Sequence, residues 1–221
     1  MSFYQLRIQL LSDTTFGRGD GVAGLIDQEV EHDANGFPYL RGRTLKGLLS
    51  EECDNLAAVI NDADRRKHWQ SIAAQLFGVP GSTLDTIALM HVGDACLPED
   101  LRRAIAQEIT NKNLTSVNVL DSLTTVRRQT AISTDTGVAD PNSLRSARVV
   151  LRERCFTAYL FLDDVPKSDI NDVLALLAAG AAALRRIGSG RNRGRGHVKC
   201  TIWDGTKPLD ARHLQRFGGA V

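Results

Sequence analysis

The 221-residue sequence offers little that would tie it to a membrane, a metal or a disulfide framework. No apolar run approaches the roughly 18 residues of a membrane span, and the greasiest stretch, Val173 to Leu184, is broken by Gly180. The first residues, Met1-Ser2-Phe3-Tyr4-Gln5, enter strand-like alternation at once, without the basic region, apolar core and cleavage site of an export signal. Four cysteines, Cys53, Cys96, Cys155 and Cys200, lie more than 40 residues apart. With no CxxC and no Cys/His cluster, a zinc site and a secreted disulfide scaffold are both disfavoured, and a reducing, cytoplasmic setting is expected. HExxH and GxSxG are missing, as are internal repeats and low-complexity tracts. Excess charge is missing too: 27 basic residues face 26 acidic ones, for a net charge of +1.

What is present is an ordinary globular composition, 43% hydrophobic and 24% charged, long enough to bury a core without staples. The neutral total hides an asymmetry. Arg185 to Lys199 holds five arginines and one lysine with no acid, and Arg127 to Arg154 holds six arginines against Asp135, Asp140 and Glu153. Two arginine-rich segments in a neutral chain point to local anion binding rather than a generally cationic surface.

The hydrophobic pattern supplies the elements. Tyr4, Leu6, Ile8 and Leu10 alternate with Gln5, Arg7 and Gln9, a half-buried strand. A glycine-rich loop follows at Gly17 to Gly21, then a short strand is expected from Ile26 to His32. Leu45, Leu48, Leu49, Leu56, Val59 and Ile60 follow three-four spacing and predict a helix over Thr44 to Ile60. A second helix is expected over Arg65 to Leu76, ending at Gly78 and Pro80, then a buried strand over Ile87 to Val92 and a surface helix over Pro98 to Ile109. Residues 110–150 are polar and weakly periodic, too long for a plain loop, and suggest an excursion such as a projecting hairpin. Alternation resumes over Arg152 to Leu162, a helix is expected from Pro166 and Ser168 to about Ile187, and Val198, Cys200 and Ile202 form a last strand. Without the excursion the order is βαββαβ, an α+β ferredoxin-like, RRM-type core in one domain over 1–203, with an insertion at about 110–150 and a tail over 204–221.

Two segments carry anion-binding chemistry. Arg185-Arg186-Ile187-Gly188-Ser189-Gly190-Arg191-Asn192-Arg193-Gly194-Arg195-Gly196-His197 combines glycines, which let a ligand approach the main chain, with guanidinium forks. It runs helix, loop, strand, the reverse of a dinucleotide or P-loop site. Tyr39 to Gly47 places Arg41, Arg43 and Lys46 at the start of the first long helix, where free amides and the dipole favour phosphate.

Five segments, in order, resemble the RAMP superfamily of CRISPR proteins. They are Leu25-Ile26-Asp27 with Phe37-Pro38-Tyr39-Leu40-Arg41-Gly42-Arg43-Thr44-Leu45-Lys46-Gly47; Leu76-Phe77-Gly78 with Val92-Gly93-Asp94-Ala95; Thr125 to Ser133 through Thr136-Gly137-Val138-Ala139; Arg148-Val149-Val150; and the C-terminal glycine-rich loop. The likeness is to the repeated backbone subunit of type III effector complexes. Arg43 and Thr44 replace the small residues usual before Leu-Lys-Gly, and Ala131-Ile132-Ser133 replaces an Ala-Ile-Asp.

The resemblance implies a subunit that stacks helically with copies of itself and with other effector subunits along one crRNA, with target RNA paired to that guide. Arg41, Arg43, Lys46, Arg127, Arg128, Arg191, Arg193 and Arg195 would hold RNA backbone. The excursion would be a thumb that unstacks bases, with Val126, Val138 or Leu144 as the wedge. Asp27 would be the catalytic residue of a target-RNA endoribonuclease that uses Mg²⁺ or a similar divalent cation to help the RNA's own 2′-hydroxyl attack the adjacent phosphate. Asp20 and Asp33 are neighbouring alternatives. Two other readings stay open: a purely structural guide-binding subunit, and a guide-processing nuclease with His32 or His197 as acid or base.

Overall fold

The computed structural model describes residues 2–79, 88–141, 143–163, 165–166, 169–209 and 211–219. Its chain order is β1 (Ser2–Leu10), α1 (Gly42–Ala58), α2 (Ala63–Phe77), β2 (Met90–Val92), α3 (Glu99–Thr110), α4 (Ser116–Leu123), β3 (Thr124–Gln129), β4 (Arg145–Val150), β5 (Cys155–Leu162), α5 (Ile170–Ala183), a 3₁₀ turn (Arg191–Arg193), β6 (Val198–Asp204), β7 (Lys207–Pro208) and α6 (Ala211–Gly218). This is an α+β fold with two antiparallel sheets. The larger has strand order β2-β5-β1-β6-β7, and β3 and β4 form a separate hairpin.

The central strand is β1, and its alternation sets the register. Leu6 lies opposite Ala158 on β5 and Ile202 on β6; Ile8 lies opposite Phe156 and Cys200. These side chains share one face and are buried with Leu10, Leu160, Leu162 and Val198. The face is covered by helices α1, α2 and α5, whose apolar stripes supply Leu45, Leu49, Ile72, Leu76, Val173 and Leu177 to the same core. Truncating a core side chain such as Leu6 to Ala would cost about 2–5 kcal/mol. Helices α1 and α5 meet closely at Gly180, where an added Cβ would stand 2.5 Å from the Cys53 sulfur. Burial pushes the Cys53 thiol well above its ordinary pKa, which leaves it inert.

The structure departs from the pattern-based expectations in several places. No strand forms over Ile26 to His32. Residues 11–41 are irregular, and their backbone pairs piecemeal with several partners: Gly17 with Val30, Gln28 with Ala147, His32 with Pro38. The strand expected over Ile87 to Val92 is Met90–Val92, with Ile87 and Pro80 outside the described residues. Helix α5 starts at Ile170 and stops at Ala183, because Leu184 to Ile187 turn to pair with the far side of the glycine-rich loop, Arg186 bridging His197. Ser168 lies outside the described residues. The excursion is part helix: α4 opens with a capping box, Thr115 and Asn118 each bonding the other's backbone, and buries Val119. Finally, the stretch expected to be a tail carries β7 and α6. Phe217 sits 4.9 Å from the Trp69 ring, and Arg216 pairs with Asp172 on α5.

Candidate nucleic-acid interface

The irregular segment 11–41 and the β3–β4 hairpin are fastened to each other. Arg148 on β4 puts Nε 2.9 Å from the buried Glu29 carboxylate and Nη1 3.1 Å from Asp121, and donates to Thr124 Oγ1 at 3.2 Å. Thr15 Oγ1 donates to the Arg148 carbonyl at 3.1 Å, and Thr14 and Val150 exchange backbone hydrogen bonds of 3.0 and 2.8 Å. The base of the hairpin is therefore held by the largely buried Arg148–Glu29 pair, with the exposed Asp121 beside it, while its end, beyond Gln129 and Arg145, bonds to itself through Thr130, Ser133, Ser143 and the Ile132–Ala139 bridge.

The glycine-rich loop is laid against the same segment from the other side. Ser189 N donates to Thr15 O and Gly196 N to Asp13 O, each at 3.0 Å. Both close approaches need glycine. A Cβ at Gly188 would lie 2.3 Å from Thr15 O, one at Gly196 would lie 2.0 Å from Ile187 O, and both residues have positive φ. With the loop fixed, Arg193 and Arg195 face Arg127, Arg128 and Arg152 across a groove of ≈ 670 Å³. One carboxylate stands among these five guanidiniums. Asp13 Oδ2 accepts from Nε and Nη2 of Arg127 at 3.0 and 2.8 Å, and its Oδ1 accepts from Arg152 N at 3.2 Å. Arg193 reaches Gln129 Oε1 at 3.5 Å. Partial burial first, then the neighbouring Arg193, pulls the Arg195 pKa below its ordinary value. Cations crowded this way are relieved by an anion, and their forks suit phosphate oxygens.

The other expected RNA contacts fall elsewhere. Arg41 is exposed and pairs with Glu31 at 2.6 Å, Glu31 also accepting from Tyr39 OH at 3.1 Å. Arg41 and Arg191 line a smaller cavity of ≈ 240 Å³ beside Gly188 and Ser189. Arg43 is exposed on α1. Lys46 turns inward: its ammonium donates to Met90 O at 2.9 Å, and burial lowers its pKa. The first amide of α1, Gly42 N, donates to Asp94 Oδ1 at 2.7 Å, so that amide is already engaged. Arg152 is a groove residue that the sequence does not single out, although it lies within the arginine-rich stretch; nothing in its spacing marks it as facing residues 193–195.

Asp27 sits in an open cleft of ≈ 610 Å³ lined by residues 21–27 together with Arg128, Leu144 and Ser146. Its Oδ2 accepts from Ser146 N at 2.6 Å and from Ser146 Oγ at 3.0 Å, and its own N donates to Ser146 O at 3.0 Å. These bonds, the backbone one first, hold the carboxyl below its usual pKa, so it stays ionised. Asp20 is paired with Arg18, and Asp33 accepts from Asn35 N and Phe37 N and pairs with Arg102. His32 Nδ1 lies 3.0 Å from Asp33 O, and neither His32 nor His197 lines the cleft or the groove. Among the described residues no group of three or more His, Cys, Asp or Glu is placed to hold a metal ion.

Of the exposed apolar side chains of the hairpin, Leu144 lines the cleft. Val126, Val138 and Leu144 are exposed, and so is Ile132, which the sequence pattern does not mark.

Comparison with known proteins gives one family and one fold. The RAMP superfamily description matches residues 7–199. No match is found among curated proteins. A chain of the cryo-EM structure of the Type III-B Cmr-beta bound to cognate target RNA superposes with a TM-score of 0.62 at 14% identity, covering 91% of this chain and 97% of that one. A chain of the same assembly's apo state gives 0.63 at 13% identity with the same coverage. No helix among the described residues is long and apolar enough to cross a membrane.

Proposed function

Because the chain belongs to the RAMP superfamily, we propose that it is a crRNA-binding backbone subunit of a type III CRISPR effector. It would hold the guide–target duplex and cleave target RNA at regular intervals. The strand order β2-β5-β1-β6 supports reading the core as ferredoxin-like, and the β3–β4 hairpin as its thumb. The observation that carries the proposal is the pairing of two sites on one hairpin: Arg128 lines both the five-arginine groove and the cleft of Asp27. The groove suits backbone contacts that do not read sequence, as in complexes where base pairing does the reading. A phosphate chain in the groove would continue past Arg128 to the carboxylate.

At that point Asp27 is an anion fixed by Ser146, and its depressed pKa fits it to orient a 2′-hydroxyl or a cation rather than to shuttle protons. The described residues do not form a metal cage, and Asp27 is the carboxylate of this cleft that would hold a divalent cation. One observation favours the second reading, a structural guide-binding subunit: Asp27 already ties the 21–27 loop to β4. The test is cleavage of a labelled target RNA complementary to the guide, with Mg²⁺ and with chelator, by the assembled complex. Wild type is expected to give products at a constant spacing that chelator abolishes. Asp27→Ala is expected to lose at least about 100-fold in rate with guide and target binding kept. Undiminished cutting by Asp27→Ala would remove it from catalysis, and a wild type that never cuts would leave the structural reading standing.

A further inference from the structure

The helices cover one face of the large sheet; the other is open and unusual in composition. Aromatic residues are scarce in this chain, 5% of the total, yet the three most exposed ones, Phe3 (57%), Tyr159 (43%) and Phe161 (38%), all point outward from it. Register explains the grouping. Phe3 on β1 lies directly opposite Phe161 on β5, and Tyr159 is two residues along β5, its ring centroid 6.4 Å from that of Phe161 at a 33° tilt. On the other flank, Gln5 lies opposite both Tyr159 and Trp203, and the Arg7 guanidinium sits 3.6 Å above the Trp203 ring. Lys199 is exposed one row further along β6. None of the outward positions of β1, β5 and β6 between Phe3 and Gln9, Cys155 and Phe161, and Lys199 and Trp203 is Asp or Glu.

From this face we infer a binding surface for single-stranded RNA, separate from the arginine groove and independent of the guide-holding reading. Flat rings at sheet spacing, with guanidinium and ammonium groups on the β6 flank and the His91–Asp163 pair on the β2 flank, suit bases that stack while their phosphates meet the cations. The Tyr159–Phe161 pair would take one or two bases, and the Arg7–Trp203 stack would take another on the guanidinium plane. A second copy of this chain is a poorer occupant. A two-fold contact would bring two sets of Arg7 and Lys199 into one interface, where β1, β5 and β6 offer no carboxylate and the edge only Asp163, already paired with His91. The rings also contribute little to the fold, since the core lies on the opposite side of the strands.

The test uses the full chain and a ten-nucleotide RNA carrying 4-thiouridine. After irradiation, crosslinked peptides are mapped and affinity is read by fluorescence anisotropy. Crosslinks are expected on Cys155–Leu162, and they should persist when Arg193 and Arg195 are both changed to Ala. Tyr159→Ala with Phe161→Ala should erase them and weaken the probe by at least about fivefold per ring. Phe3→Ala, on the facing strand, gives an independent check should the double variant fail to fold. Crosslinks confined to residues 191–195 would overturn the inference while supporting the groove; crosslinks on the sheet alone would do the reverse. A wild type that self-associates on dilution-series sedimentation, with the double variant monomeric and binding RNA unchanged, would make this face a protein contact and overturn the inference as well.

Discussion

In the groove five guanidiniums face one carboxylate, Asp13; in the cleft beside it one carboxylate, Asp27, faces one guanidinium, Arg128. The groove has charge, and its one carboxylate is taken up by Arg127 and the Arg152 amide, an arrangement suited to holding phosphate. The cleft has a fixed anion and little to bind with. Neither region suffices for both tasks. The residues that decide whether they act together are those that fix the hairpin between them, Arg148 and its partners, rather than those that line either one.

The largest effect should therefore come from the joint. Arg148→Ala leaves the buried Glu29 carboxylate without its cation and is expected to cost about 3–5 kcal/mol, read by urea unfolding. Replacing both partners, Arg148→Leu with Glu29→Leu, should recover most of that stability. If the single variant unfolds like wild type, the hairpin is not held by this network and the coupling of the two regions fails. Next in size is the groove alone. Arg127→Ala, Arg193→Ala and Arg195→Ala together should weaken guide RNA of every sequence alike, by tens of fold at low salt. The slope of log affinity against log salt should become shallower by about 2, roughly 0.7 for each phosphate no longer neutralised. Cleavage of target already bound should be spared; a sequence-dependent loss would mean the groove reads bases.

Smaller in stability, though not in pattern, is the free end of the hairpin. Removing residues 131–140 should change unfolding free energy by less than about 1 kcal/mol, because these residues bond chiefly to each other. It should nonetheless erase the constant spacing of products. Insoluble protein would show that this end belongs to the core. The smallest effect is on pH. With its pKa depressed by Ser146, Asp27 contributes stability above the ordinary carboxylate value that is lost only as pH falls through the lower, folded value. The Ser146 amide resonance should thus titrate with a midpoint below that of an ordinary aspartate, and in Asp27→Asn it should not titrate.

The sheet and its helices are legible in the sequence because each rests on local periodicity. The strands β1 and β5 and the helices α1, α2 and α3 fall within a few residues of where alternation and three-four spacing put them. What escapes is everything set by distant partners. Residues 26–32 look like a strand, but their backbone is shared among Gly17, Ala147 and Pro38, and no single neighbour offers a ladder. The α6 segment is short and mostly polar, and Arg65, Trp69 and Asp172, all over 40 positions away, help give it a seat. The same holds for the candidate site. Arginine-rich segments can be counted, yet only the fold shows that Arg127 and Arg195 share a groove, or that Lys46, promising beside Arg41, serves a core carbonyl instead.

The position of β1 has a bearing on how the protein is made. Its nine residues emerge long before β6, yet one of their two ladders is with that strand, where Gln5 meets Trp203. Translation proceeds at roughly 5–20 residues per second, so β1 waits on the order of ten seconds or more for its second neighbour. Until then Phe3, Leu6 and Ile8 belong to a strand with an open edge, the kind that pairs with other chains. Pairings of this sequence separation also slow closure. A growing chain is accordingly open to mispairing until β6 arrives, and the groove, which needs both the hairpin and residues 193–195, forms only once those residues have emerged. A chain stopped short of them has no cradle with which to capture RNA.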